Sequence, residues 1–256
     1  MITSFIHCAL FVFLYMNLLF VLALYKKDNS IADIGWGIGF MLIALYTFFQ
    51  FSNFEQRQII TTALILLWGT RLATHIYLRN KGKGEDPRYQ AWRQQWGDHF
   101  FIRSYLQVFM LQGFIMLLIA TPIIIINSIH GPTLGFFDLL GFTIWFVGLF
   151  FEAVADYQLY LFLQDPTKRG EIMMHGLWRY SRHPNYFGEV LIWWGIFIIA
   201  CNVPYGLISI ASAITISYIL LFVSGVPLAE KQLKGLKDFA EYEKRTSIFI
   251  PWFVKK

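Results

Sequence analysis

Residues 141–162 read GFTIWFVGLFFEAVADYQLYLF. About 20 mostly apolar residues cross the hydrocarbon of a bilayer, so this run is long enough to span one, and it carries two acids, Glu152 and Asp156. Similar apolar runs recur on both sides of it, at about 4–25, 31–50, 58–79, 105–126, 135–163, 186–201 and 205–223. The sixth is short, and Asn202, Val203 and Pro204 leave only a tight turn before the seventh. The chain is 57% hydrophobic and only 14% charged, where soluble domains carry roughly 25% charged residues. The pattern predicts an all-α, polytopic integral membrane protein of about seven transmembrane helices, organised as one membrane-embedded domain over residues 1–256.

A net charge of +5 raises the question of nucleic acid, but the basic residues sit in short loops between apolar runs, the pattern that orients membrane proteins. Nucleic-acid binding is therefore not expected. Nineteen of the 21 Lys and Arg fall in connections on alternate sides, which predicts an outside N-terminus and a cytoplasmic C-terminus. Cys8 and Cys201 lie in apolar runs without metal-ligand spacing, so no metal site or disulfide is expected. Met1 to Tyr25 lacks a basic lead and a small-residue cleavage motif, and reads as a retained span rather than a removed signal peptide.

Charged groups inside a membrane face a bundle interior or a wet cavity. Glu152 and Asp156 stand four apart and share a helix face. Arg71 and His75 form a similar row on the third run, and a structural role, pairing Arg71 with one of these acids, stands level with a substrate-binding one. Glu189 adds a third acid on the sixth run. Before it, residues 175–189 gather Arg179, Arg182, His183, Asn185 and Tyr186. Pro184 suits a first helical turn, so free backbone N–H groups and two arginines would form an anion seat there. Trp193 and Trp194 read as an interfacial aromatic belt. The segment 85–100 reads as a surface-lying amphipathic helix or as a substrate-orienting loop built from Glu85, Asp86, Arg88 and Tyr89. GWGIG at 35–39 lacks the strand-turn-helix setting of a dinucleotide fingerprint and suits close helix packing; Asp33 is a candidate cap for the second helix.

Taken together, GLWRYSRHPNYFGEVLIWWG (176–195), EAVADYQLYLF (152–162) and SGVPLAEKQLKGLKDFAEYEKRTSIFIPW (224–252) resemble the bacterial branch of the steroid 5-alpha-reductase family, a branch catalogued as a domain of unknown function. IADIGWGIGF, LLWGTRLATHIYLRN, GKGEDPRYQAWR and FMLQGF extend the resemblance over nearly the whole chain. It implies a reductase in the bacterial inner membrane, its active site facing the cytoplasm, that takes hydride from NADPH and reduces a carbon-carbon double bond conjugated to a carbonyl in a steroid-like or other lipid-soluble substrate. It also implies a substrate-facing half at 1–127 and a cofactor half at 135–256. Cofactor binding then falls to Asp156, Arg179, Arg182, His183, Asn185, Glu189 and Glu230; substrate binding to Arg71, His75 and Glu152; and catalysis to Tyr186, Glu189 and Tyr89. A tail helix from Leu228 to Lys244 would close over the cofactor. Steroid reductases polarise the ketone with a Glu and a Tyr of the N-terminal half, and the sequence alone does not place that pair here.

Isoprenylcysteine carboxyl methyltransferases carry a similar Arg-His-Pro-x-Tyr helix start and a later Glu, resembling Glu230, and use the cluster for S-adenosylmethionine. That is the alternative reading. A small transporter or scaffold is the non-enzymatic one, but it predicts polarity continuing to the outer side, where NSIHGPT and NVP are nearly chargeless.

Overall fold

The structure is a computed structural model and describes residues 1–254. Lys255 and Lys256, counted above among the basic residues of the tail, lie outside the described residues. The chain is helical almost throughout: α1 (Ile2–Lys26), α2 (Ile31–Phe51), α3 (Gln56–Asn80), a long helical run α4 (Pro87–Ile119), α5 (Thr121–Ser128), α6 (Phe136–Gln164), α7 (Pro184–Ala200), α8 (Ile210–Tyr218), α9 (Val226–Leu233) and α10 (Phe239–Arg245). Among the described residues there is no β-strand, only an isolated bridge between Ser181 and Ser247. Among the described residues six helical stretches are long and apolar enough to cross a membrane, namely α1, α2, α3, α4, α6 and the stretch Gly206–Leu233 that contains α8 and α9, and α7, at 17 residues, is a shorter apolar helix. Each predicted apolar run is helical through most of its length, the fourth being divided between α4 and α5.

Helix ends follow local chemistry. Lys27 stops α1 in the left-handed conformation, its N–H returning to Leu24 O. Glu55 starts α3 through a reciprocal capping box with Gln58. Asp86 caps α4 and is followed by Pro87 in the first turn. Pro122, which cannot donate to the preceding turn, separates α4 from α5. The expected tail helix over 228–244 is instead two short helices, α9 and α10, because the chain turns after Leu233 and Asp238 takes the left-handed conformation.

The Cα atoms divide into two compact units. One comprises Met1–Gly135 with Ala200–Ser212, the other Phe136–Ile199 with the chain from Ala213 on. In the first unit the three glycines of GWGIG serve three neighbours. A Cβ at Gly35 would meet Leu19 of α1, one at Gly37 would meet Gly69 O of α3 at 2.9 Å, and one at Gly39 would meet Met116 of α4. The motif packs helices, as its position inside an apolar run suggests.

In the second unit, α6 and α7 approach through two pairs of glycines, each pair seven residues apart. A Cβ at Gly141 would lie 2.6 Å from Gly195 O, and one at Gly148 would lie 2.6 Å from Gly188 O. This backbone-to-backbone approach buries the face of α6 that carries Trp145, Glu152 and Asp156. Trp193 corrects the aromatic-belt expectation: it is fully buried, because its position on α7 turns inward, while Trp194 is half-buried and donates from its indole N–H to Ser217 Oγ at 3.2 Å.

Candidate functional site

The second unit builds its polar centre at the start of α7. Trp178 anchors the approach, donating from Nε1 to Ala155 O of α6 at 3.0 Å, and Leu177 N–H donates to Gln158 Oε1 at 2.9 Å. Gly176 has a φ of 60° with the Gln158 amide 2.5 Å from where a Cβ would stand, so the loop has no room for a side chain there. Ser181 Oγ donates to Phe249 O at 2.7 Å and accepts from His183 N–H at 3.1 Å. These bonds deliver Pro184 as the first residue of α7, as its lack of an N–H favours.

Arg182 is buried, and its guanidinium is engaged. Nε and Nη2 donate to the two oxygens of Glu230 at 2.9 and 3.1 Å, while Nη1 donates to Glu243 O and Thr246 O at 2.9 and 3.3 Å. His183 Nε2 lies 2.8 Å from Glu230 Oε1, and its ring stacks on Tyr186 with centroids 5.5 Å apart. Arg182, His183 and Glu230 therefore form a clamp that ties α9 and α10 to the root of α7. This arrangement differs from two arginines offered to an anion: Arg179 is exposed beside the helix start, whereas Arg182 spends its donors inside the protein.

Burial holds the His183 imidazole below its ordinary value, against the opposing pull of Glu230 and with the help of Arg182. The unfolded chain therefore binds this proton more readily, and stability is lost as pH falls below the unfolded value of about 6.5. Thermal denaturation in detergent should show a lower midpoint at about pH 5.5 than at about pH 7.5, with a smaller drop in His183→Gln.

One turn deeper, Asn185 Nδ2 donates to Asp156 Oδ1 at 3.0 Å, joining α7 to α6. The Asn185 Oδ1 is buried and has no hydrogen-bond partner. Glu189 follows four residues on, on the same face of α7, and Glu152 lies buried one turn from Asp156. The structure thus brings together Asp156 with Asn185, and Arg182, His183, Tyr186 and Glu230.

Arg71 and His75 lie half-buried on α3 in the first unit. That unit has a polar centre of its own. Tyr89, buried on α4, donates to Asp33 Oδ1 at 2.6 Å, and Arg88 Nη2 donates to Asp33 Oδ2 at 2.7 Å. Arg88 Nε also donates to Asp86 at 2.9 Å, and Gln112 Nε2 stands 3.5 Å from the Tyr89 hydroxyl. Burial raises the Asp86 carboxyl, but the donors of Arg88 outweigh it and hold the group below the usual carboxylate range. Glu85 accepts from Asn29 N–H and from Arg93. Asp33 is thus not a cap; its carboxylate receives a tyrosine and an arginine. Asp33 and Gln112 are members of this polar centre that spacing missed, although an acid inside the first turn of an apolar helix was itself a signal.

Among the described residues no three His, Cys, Asp or Glu gather as metal ligands would. An apolar groove of about 300 Å³, lined by Phe11, Leu42, Leu45, Tyr46, Phe49 and Gln50, lies toward the other end of α2 and touches neither polar centre.

A family model described as a protein of unknown function, DUF1295, matches residues 19–246. The chain belongs to the DUF1295 family. The match covers both polar centres of this DUF1295 protein and agrees with the domain of unknown function that its motifs resemble. It is also similar to an uncharacterized protein of Schizosaccharomyces pombe, C594.04c, at 23% identity over 267 residues, covering 93% of the present chain and 77% of the yeast protein. No solved structure matches.

Proposed function

We propose that this DUF1295 protein is a membrane-embedded, NADPH-dependent reductase of a carbon-carbon double bond conjugated to a carbonyl in a lipid-soluble substrate. The observation that carries this reading is the Asn185–Asp156 pair. Asp156 fixes the amide of Asn185 through one donor and leaves its Oδ1 as a buried acceptor without a partner. A buried polar atom in that condition costs about 1–3 kcal/mol, and a ligand N–H or O–H would satisfy it. The donor groups of a nicotinamide carboxamide or a ribose suit it.

Asn185, Asp156 and Glu189 would hold the nicotinamide and ribose end of NADPH, and the exposed Arg179 with the N–H groups at the α7 start would hold phosphate. Bound there, NADPH supplies the hydride. In the first unit Tyr89 is the candidate donor to a substrate carbonyl: its single O–H, given to Asp33 Oδ1 at 2.6 Å, would turn to the carbonyl as enolate charge develops, leaving Asp33 to Arg88. Asp33, in turn held by Arg88, orients the phenol. This acid-tyrosine pair in the N-terminal half fits the ketone-polarising role that the steroid reductase resemblance calls for. The distribution of Lys and Arg supports an outside N-terminus and a cofactor seat open to the cytoplasm, where soluble NADPH is available, with the inner membrane of a bacterium as the setting.

Asn185→Ala is expected to weaken NADPH binding by about tenfold or more while the Arg182–Glu230 clamp keeps the protein folded; unchanged affinity would contradict the assignment. Tyr89→Phe is expected to leave NADPH affinity alone and slow reduction of an enone lipid about 100-fold, the loss typical of one oxyanion donor. A second reading, S-adenosylmethionine-dependent methyl transfer, is favoured by the Arg182-His183-Pro184 helix start with its Glu230 partner, and is separated from the first by cofactor preference.

A further inference from the structure

After α10 the chain follows a bent, irregular course beside the α7 root. Its backbone is pinned at several points: Ser247 O accepts from Arg182 N–H at 2.8 Å, Phe249 O accepts from Ser181 Oγ, and Trp252 N–H donates to Tyr180 O at 2.9 Å. With the backbone held, the side chains divide between an inner and an outer side. Phe249 turns inward and packs on Phe187, centroids 5.7 Å apart, and Phe187 packs on Phe151 of α6 at 5.2 Å. Ile248 and Ile250 turn outward, the latter 60% exposed, and Trp252 and Phe253 follow at 66% and 78%. Tyr180, beside Trp252, is exposed as well.

The level of this segment in the fold is fixed by its contacts. Phe187 belongs to the first turn of an apolar helix, and Phe151 to a helix long enough to cross a bilayer. The inward face of the tail therefore lies where apolar helices begin, at the boundary between lipid and water. Aromatic residues gather at that boundary because their rings suit the acyl chains and their polar edges suit the headgroups. Basic residues flank the segment in sequence, Lys244 and Arg245 before it and Lys255 and Lys256 after it, as befits a surface of anionic headgroups.

We propose that the segment 248–253 is seated in the bilayer interface, with Ile248, Ile250, Trp252 and Phe253 dipping among the acyl chains and Lys244 and Arg245 near lipid phosphates. The bilayer thereby becomes part of the wall that holds the Arg182–Glu230 clamp closed, since Glu243 O and Thr246 O, just before this segment, complete the hydrogen bonding of Arg182. This inference does not depend on which cofactor the protein uses.

The test places an environment-sensitive fluorophore on Ile250→Cys in a Cys201→Ser background, Cys8 being buried, and compares quenching in nanodiscs. Lipids brominated near the headgroup end of the chain should remove most of the emission and aqueous iodide little of it. A probe on Lys234→Cys, exposed just after α9, should show the reverse. Trp252→Cys provides a second site should the first variant fold poorly. Strong iodide quenching without a bromolipid effect would overturn the proposal, as would a probe silent to both quenchers, which would mean that another protein surface covers the segment.

Discussion

Replacing Glu230 with alanine is expected to lower folding stability by about 3–5 kcal/mol, the loss typical when one partner of a buried ion pair is removed. The magnitude follows from what is left behind. Arg182 is only 4% exposed and donates to both carboxylate oxygens of Glu230; without them the buried guanidinium keeps two carbonyls and the half-exposed Glu243 carboxylate 4.0 Å away, and His183 loses its partner. Glu230→Gln keeps the shape and an acceptor for His183 but not the charge, and should fall between. Thermal denaturation of the three proteins in one detergent measures the order. A Glu230→Ala protein as stable as wild type would mean that the clamp is open in solution.

Gly188→Leu should disrupt the second unit by about 3 kcal/mol, the upper end of overpacking penalties. A Cβ at Gly188 would stand 2.4 Å from Glu152 N and 2.5 Å from Gly148 O. These are backbone atoms of α6, so no rotamer change relieves the clash and the two helices must separate. Separation also pulls Asn185 from Asp156. Gly235→Ala is the control, because nothing lies within 4 Å of the Cβ it would add, and it should be close to neutral. Equal stability of both variants would contradict the close approach of α6 and α7.

The helices were legible in the sequence because each is written locally, as a run of apolar residues bounded by charges, glycine or proline. Pro184 marked the start of α7 and the GWGIG glycines marked close packing for the same reason. What sequence could not supply was pairing across distance. Asp33 looked like a helix cap because its partner Tyr89 is 56 residues away, and helix spacing relates only residues three or four apart. Arg182 looked like a phosphate ligand because Glu230 is 48 residues away. Residue type identified these groups as chemically important; only the fold distinguishes an arginine that meets a buried carboxylate from one, like Arg179, that stands exposed. The tail was misread as one helix for a different reason. Gly235 and the left-handed Asp238 break it, and Leu233, Leu236, Phe239 and Tyr242 pack around Ile172 from the two short helices and the turn between them.

The central claim, that the root of α7 seats NADPH, is tested most directly by thermal stabilisation of the purified full-length protein with NADPH or S-adenosylmethionine, each added alone. A ligand that prefers the folded state raises the midpoint, by about 2.7 kcal/mol of stability at a hundredfold excess over its dissociation constant. Stabilisation by NADPH, absent with S-adenosylmethionine and lost in Asn185→Ala, is the predicted result. Stabilisation by S-adenosylmethionine alone would contradict the reductase reading and make the same cluster the seat of a methyl donor.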